Sequence, residues 1–282
     1  MADDLDNDWK DDRLAYMPTL RTRLRDEGTF FEHHVAAQPV CGPSRSSLLL
    51  GRYPHNTGYV ANDDLDSVAA FLSQHNNTIG TWLSKSGYYT AFHGKYVNSV
   101  PGVPSGWSHW GGFIQTYNFY NASMYAYEEG EPAVPGGVRV MTGVHQADFL
   151  GQETIASAKR AIAQNKPFFV HTTPVMPHWG TCYGPVFPPG QGYAPTDPHW
   201  EFDLTDPEGK KWALPISPCP TNRHKHAFDG QENKHVTGMW NVTAKGKIPA
   251  FMRSTMDVPG RLTAFEAERE NMGVSEQVQE RI

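Results

Sequence analysis

No apolar run in the chain approaches the ~20 residues that a membrane-spanning helix needs, so no such span is expected. Positive charge is not in excess either. The 24 Lys and Arg stand against 30 Asp and Glu, a net charge of −6. No basic run or basic-aromatic module interrupts that balance, which argues against nucleic acid as a partner. Internal repeats and low-complexity segments are absent, which excludes solenoids and tracts that need no packed core. Cysteine is scarce, with Cys41, Cys182 and Cys219 the whole complement. The opening Met1-Ala2-Asp3-Asp4 leaves no room for the charged and apolar regions of a signal peptide. What remains is 282 residues, enough to bury a substantial core as one large domain or two smaller ones.

The stretch from Pro39 to Arg52, PVCGPSRSSLLLGR, concentrates most of the chemistry. It reads as a loop entering a short helix. Pro43 suits a first helical position, Ser44 to Leu50 carry the turns, and Gly51 stops them. Cys41 then lies just ahead of the helix N-terminus, where unpaired N–H groups and the helix dipole favour a negative oxygen or sulfur. Arg45, one turn in, can reach back towards it. An ordinary helix start with a buried cysteine would leave that arginine unexplained.

Along the chain, Met17 to Glu27 reads as an amphipathic helix stopped by Gly28, and Thr29 to Ala37 as a strand leading into Cys41. A second unit follows, with a helix from Thr78 to Ser86 and a strand from Tyr88 to Phe92 that runs into Gly94-Lys95. Ser99 to Gly143, rich in Gly, Pro, Trp and Tyr, reads as irregular loops with a short hairpin. His145 to Asn165 reads as a helix, and Pro167 to Thr172 as a buried strand with His178 beyond its end. Trp179 to Arg253 shows no period. In it, His224 and His226 alternate as on a strand and lack zinc spacing, so they read as solvated loop histidines. Arg261 to Ile282 reads as a helix or helix pair. Alternating helices and strands predict an α/β fold, in which ligands gather beyond the carboxyl ends of the strands. Cys41, Lys95 and His178 all lie at such ends.

The Cys-X-Pro-Ser-Arg core with Leu50-Gly51-Arg52 downstream resembles the signature of the type I sulfatases, in which the cysteine is oxidised to formylglycine. Gly94-Lys95-Tyr96-Val97-Asn98 and Trp107-Ser108-His109-Trp110 look most like the fungal arylsulfatase and N-acetylglucosamine-6-sulfatase branch. The resemblance implies an alkaline-phosphatase-like mixed sheet flanked by helices, incomplete here, over a single partial catalytic domain. Residues 1–178 would carry the site, 179–260 would be loop-rich and 261–282 helical. It implies a sulfate ester substrate, aryl sulfate or sulfated sugar, with the hydrate of converted Cys41 as nucleophile. Arg45, Lys95 and His178 would be the catalytic and sulfate-binding side chains. Asp3, Asp4 and the converted Cys41 would hold Ca²⁺, or another divalent cation such as Mg²⁺, through oxygen. A formylglycine-generating enzyme becomes a required partner.

Two departures bear on that reading. Val97 stands where many sulfatases have histidine, so the resemblance assigns no proton donor from this segment. The Asp-Asn segment and second lysine that complete the family site are not found before Ile282, and no strand precedes Asp3. The chain therefore reads as truncated at both ends, with Asp3 and Asp4 on an unsupported terminus and negligible activity as given. The resemblance places the full-length protein in a secreted or lysosomal/vacuolar setting. Sequons at Asn76, Asn121 and Asn241 suit that setting. Cys182 and Cys219 read there as a disulfide or as two buried thiols. Phosphonate or phosphate esters are the alternative substrates, and binding of sulfated glycans without turnover the alternative function.

Overall fold

The computed structural model describes residues 1–3, 5, 17–31, 33–62, 64–98, 102–114, 116–120, 122–131, 137–141, 143–178, 180–183 and 221. At its centre is Tyr89–Gly94 (β1), buried at every position. A strand covered on both faces shows no alternation of apolar and polar residues. β1 pairs in parallel with His109–Phe113 (β2) on one side and Phe168–Thr173 (β6) on the other. Ser123–Glu128 (β4) and Val138–Val140 (β5) continue the sheet antiparallel beyond β2, giving the order β5-β4-β2-β1-β6. A second, two-stranded parallel sheet joins Asn118–Tyr120 (β3) to Thr181–Tyr183 (β7). The architecture is a mixed sheet flanked by helices, as expected.

One face carries the helices Cys41–Leu50 (α2), Pro54–Thr57 (α3), Leu65–Leu72 (α4) and Ile79–Lys85 (α5). Leu49, Leu50, Tyr59 and Phe71 from this side pack with Phe92, Tyr96, Val97, Trp107 and Trp110 in the largest core cluster. Phe92 is its hub, stacked on Trp110 at 4.8 Å and edge-on to Tyr96 at 5.0 Å. The other face carries Gln146–Ala163 (α6), whose Ala161 packs with Tyr89 and Ala91. Side chains of β1 thus alternate between two cores.

Several expectations are met closely. α2 begins two residues earlier than its proline suggested, with Cys41 as the first helical residue and Pro43 third, and it ends at Gly51 with φ 63°. The helix before β1 is fixed by a reciprocal capping box between Thr78 and Thr81. The first helix forms as Pro18–Leu20 (α1) followed by a π-helical turn over Arg21–Asp26, and buries no residue.

Others are corrected. The strand expected over Thr29 to Ala37 does not form at the described residues, and Phe31 and Val35 are exposed. Strand propensity measures fit to a pleated, half-buried surface, and no such surface accepts this segment. Ser99 to Gly143 holds four strands rather than loops and one hairpin. β2 escapes pattern reading because it is buried throughout and carries Gly111-Gly112, which reads as a turn. A Cβ on Gly112 would lie 2.5 Å from the Trp110 ring, so that glycine is a packing requirement. α3 and α4 were not anticipated. Arg261 to Ile282, His224 and His226 lie outside the described residues.

Candidate active site

Three chain segments meet beyond the carboxyl ends of β1 and β6. Gly94, at φ 108°, ends β1 against β6, and a Cβ there would lie 2.3 Å from the Thr173 carbonyl oxygen. Lys95 follows at once, its N–H donating to that same oxygen at 3.0 Å. The Lys95 carbonyl accepts from Thr173 Oγ1 at 2.7 Å and from Arg45 Nη1. After β6 the chain turns through a cis Met176–Pro177 bond to His178.

Asp3 is not on an unsupported terminus. It forms a parallel bridge with Pro177, its N–H donates to Met176 O at 3.3 Å, and its carbonyl accepts from His178 N at 3.1 Å. The Met1 ammonium donates to Thr172 O at 2.8 Å. Residues 1–3 thus run alongside the segment that leaves β6, held by one isolated bridge.

The Asp3 carboxylate, 5% exposed, is the counter-ion of two buried cations. Arg45 Nη2 reaches Oδ1 at 3.0 Å and Lys95 Nζ reaches Oδ2 at 2.7 Å. Burial alone would push Asp3 up, but the Arg45 and Lys95 charges outweigh it and hold the carboxyl below its ordinary value. Burial likewise opposes the Lys95 charge, yet Tyr117 and Asp3 hold its pKa above the ordinary value. Lys95 is a fixed cation.

Cys41 sits at the mouth of this arrangement, half-buried at the start of α2. A hydrogen bond from His178 holds its thiol below the ordinary value, against burial and with help from Lys95. The helix start contributes less than expected, because Gly42 N–H is taken by Asn62 Oδ1 at 2.8 Å and Pro43 has none. Gly42 is required here, since a Cβ would lie 2.4 Å from the Tyr59 ring. Positive charge at the site comes from side chains.

Sequence reasoning missed Tyr117. Its hydroxyl lies 3.1 Å from Lys95 Nζ, and its ring stacks on His178 with centroids 4.9 Å apart. Burial keeps the phenol protonated, above its ordinary value, against the pull of Lys95. Nothing in the sequence distinguishes it from the other 11 of 12 tyrosines. Val97, by contrast, is 2% exposed in the aromatic core and does not face the site chemistry.

The structure therefore brings Asp3, Cys41, Arg45, Lys95 and His178 together. Ligand atoms of Asp3, Cys41 and His178 lie within 4.8 Å of one another, the one such cluster among the described residues. One carboxylate, one thiol and one imidazole do not match Ca²⁺ or Mg²⁺, which prefer oxygen throughout. Both Asp3 oxygens, moreover, already accept from Arg45 and Lys95. Asp4 lies outside the described residues, as do Asn121, Asn241, Cys219 and the side chain of Cys182. Asn76 is exposed between α4 and α5, its Oδ1 accepting from Ser105 N and Oγ at 3.1 and 3.0 Å.

The sequence model of the sulfatase family matches residues 1–234. The chain belongs to the sulfatase family. The extracellular sulfatase SULF-1 homolog of Drosophila melanogaster is 31% identical over 216 residues, 69% of this chain and 19% of that protein. An arylsulfatase of Volvox carteri is 28% identical over 231 residues, 74% of this chain and 34% of its own. The N-acetylglucosamine-6-sulfatase of Bos taurus is 28% identical over 191 residues, 61% of this chain and 32% of its own. This sulfatase chain thus spans about a fifth to a third of the length of these curated relatives. None of its described helices is long and apolar enough to cross a membrane.

Proposed function

We propose that this protein is a sulfuric ester hydrolase in which Cys41 is converted to formylglycine by a formylglycine-generating enzyme. The observation that carries the reading is half-buried Cys41 in one cluster with Arg45, Lys95 and His178, with Asp3 as their shared anchor. Converted, Cys41 supplies a hydrated aldehyde whose hydroxyl is the nucleophile towards sulfur. Arg45 and Lys95 place positive charge where the non-bridging oxygens gain negative charge, and their ties to Asp3 and to the Lys95 carbonyl keep them from reorganising. His178 is in contact with the residue-41 side chain and orients it. Asp3 acts as counter-ion. With both Asp3 oxygens engaged by Arg45 and Lys95, the oxygen donors left to a divalent metal would be Asp4 and the converted residue 41 in place of sulfur.

An aryl sulfate or sulfated sugar is the proposed substrate class, which fits relatives named arylsulfatase and N-acetylglucosamine-6-sulfatase. Residues 1–178 carry the whole proposed site apart from any further ligands, with 179–260 and 261–282 as supporting regions. A secreted or lysosomal/vacuolar setting belongs to the same proposal, supported by the relative named as extracellular. In that setting Asn76, Asn121 and Asn241 carry glycans and Cys182 is linked to Cys219.

Two measurements test the reading. Protein made in a host with the converting enzyme should show an aldehyde at residue 41 by peptide mass spectrometry. The full-length protein, so converted, should hydrolyse nitrophenyl sulfate faster than nitrophenyl phosphate, with all turnover lost in Cys41→Ala, whereas residues 1–282 alone should show negligible turnover. An unmodified thiol in a competent host, or binding of sulfated glycans that survives Cys41→Ala without turnover, would overturn it.

A further inference from the structure

The small β3-β7 sheet lies outside the five-stranded sheet that carries Lys95 and leads to His178. Its parallel register sets Asn118 beside Thr181, and so Tyr117 beside Gly180, two residues after His178. The approach is close: a Cβ on Gly180 would lie 2.4 Å from the Tyr117 carbonyl oxygen. Buried Gln146 ties the same two segments again, donating to Asn118 O at 3.2 Å and accepting from Val175 N at 3.3 Å. Backbone pairing thus delivers the Tyr117 side chain to both Lys95 and His178.

From this placement we infer that Tyr117 is a positioning residue, which fixes the direction of the Lys95 ammonium and the plane of the His178 ring towards residue 41. An ammonium has three N–H donors and no acceptor. One reaches Asp3 Oδ2 at 2.7 Å, one reaches Tyr117 Oη at 3.1 Å, and Lys95 also hydrogen-bonds the Cys41 side chain. Held by Asp3 alone, the ammonium would pivot about a single hydrogen bond. The second acceptor stops the pivot and leaves the third N–H one direction, towards residue 41. His178 is likewise held at two points. Its backbone N–H donates to Asp3 O and Val175 O, at 3.1 and 2.9 Å, and its ring stacks on Tyr117 at 25°, with centroids 4.9 Å apart. Tyr117 thereby sets the imidazole plane, and with it the hydrogen bond to Cys41. A donor whose direction is fixed before reaction costs no reorganisation during it.

The orienting role stands on this geometry, and its effect on turnover rests on the sulfatase reading, so each has its own measurement. In unconverted residues 1–282 labelled with ¹⁵N-lysine, the Lys95 ammonium signal is assigned by its loss in Lys95→Met. Its protons should exchange with water ~10-fold faster in Tyr117→Phe, the value of one hydrogen bond to a charged group, while amide spectra show the fold intact. Phenylalanine keeps the ring on His178 and removes only the oxygen. Converted full-length Tyr117→Phe should lose ~10–10²-fold in kcat on nitrophenyl sulfate with KM little changed, the cost of a small misplacement. Tyr117→Leu, which also frees the imidazole, should lose more. In a Lys95→Met background Tyr117→Phe should add no further loss, because it acts through that lysine. Unchanged ammonium exchange, or an equal loss with and without Lys95, would overturn the assignment. A fall in urea midpoint with kcat unchanged would make Tyr117 a packing residue and overturn it as well. Should Tyr117→Leu not fold, Tyr117→Phe in the two backgrounds decides. Converted full-length wild type that turns over no ester overturns the hydrolase reading, and the ammonium exchange still decides the orienting role.

Discussion

Asp3→Ala tests the arrangement on which the site depends. Asp3 is 5% exposed, and its two oxygens accept from Arg45 at 3.0 Å and Lys95 at 2.7 Å, both partners essentially buried. A surface pair would count for ~0–1 kcal/mol, but here truncation strands two cations without solvent. Breaking a buried pair by removing one partner costs about 3–5 kcal/mol, chiefly because the remaining charge stays buried and uncompensated. Backbone links to Met176 and His178 survive the substitution, so the loss reports the charges. Urea unfolding in EDTA, followed by the fluorescence of core Trp107 and Trp110, should show the midpoint fall by about 1–2 M, taking a slope of roughly 2–3 kcal/mol/M. Adding Lys95→Met removes one stranded cation, so the double variant should lose less than the sum of the singles by about 1–3 kcal/mol. A cost for Asp3→Ala below about 1 kcal/mol, or strictly additive losses, would mean that water reaches these charges and that Asp3 does not anchor the site.

Two further outcomes follow from the same structure. His93 and His171 are pushed down to about 3 and His109 to about 4 by burial, with His109 and Arg160 adding to the effect at His93. Each is neutral in the fold and gains a proton more readily when unfolded, so its stabilising contribution is complete above about pH 6.5 and is lost as pH falls towards those values. At about pH 5 each should cost about 2 kcal/mol, and urea midpoints no lower at pH 5 than at pH 7 would contradict the buried, neutral assignment. Gly94→Ala forces φ 108° on an alanine and drives its Cβ against the Thr173 carbonyl. Strain alone should cost about 1–3 kcal/mol, and wild-type unfolding by denaturant would show that β1 does not end as described.

Much of the site was legible because its residues depend on local rules. The Cys41–Leu50 helix follows from a proline near its start and Gly51 in the left-handed region at its end. Lys95 and His178 follow from two apolar strands with glycine and proline after them. The four strands between Ser99 and Gly143 were not legible, because burial and packing rather than alternation set their pattern, and β2 and β3 also pair with strands outside the segment. Gly112 is required by its neighbour Trp110, and β3 is paired with β7 some 60 residues on. Tyr117 was hidden for the same reason: its role comes from contact with Lys95 and His178, which share no sequence neighbourhood with it. The strand read into Thr29 to Ala37 failed in the opposite way, with good β-formers and no sheet edge to receive them.

The charge on the pocket floor also bears on which ester it fits. Arg45 and Lys95 are cationic and Asp3 anionic, and the parallel register that pairs Gly94 with Thr173 sets all three at one edge. A one-residue slip of β6 against β1 would turn its side chains to the opposite face and shift the His178 loop away from Lys95. In register, and in metal-free protein, Arg45, Lys95 and Asp3 together leave one net positive charge beside Cys41, with converted residue 41 neutral. A sulfate monoester carries one negative charge near neutral pH and is matched by that floor, whereas a phosphate monoester dianion leaves one charge uncompensated in a partly desolvated pocket, where it is costly. Selectivity for sulfate over phosphate then resides in Asp3, which cancels one of the two cations. Asp3→Asn, by raising the floor to two net positive charges, should narrow the preference for nitrophenyl sulfate over nitrophenyl phosphate. An unchanged ratio of the two rates would show that pocket shape, rather than this charge, discriminates between the esters.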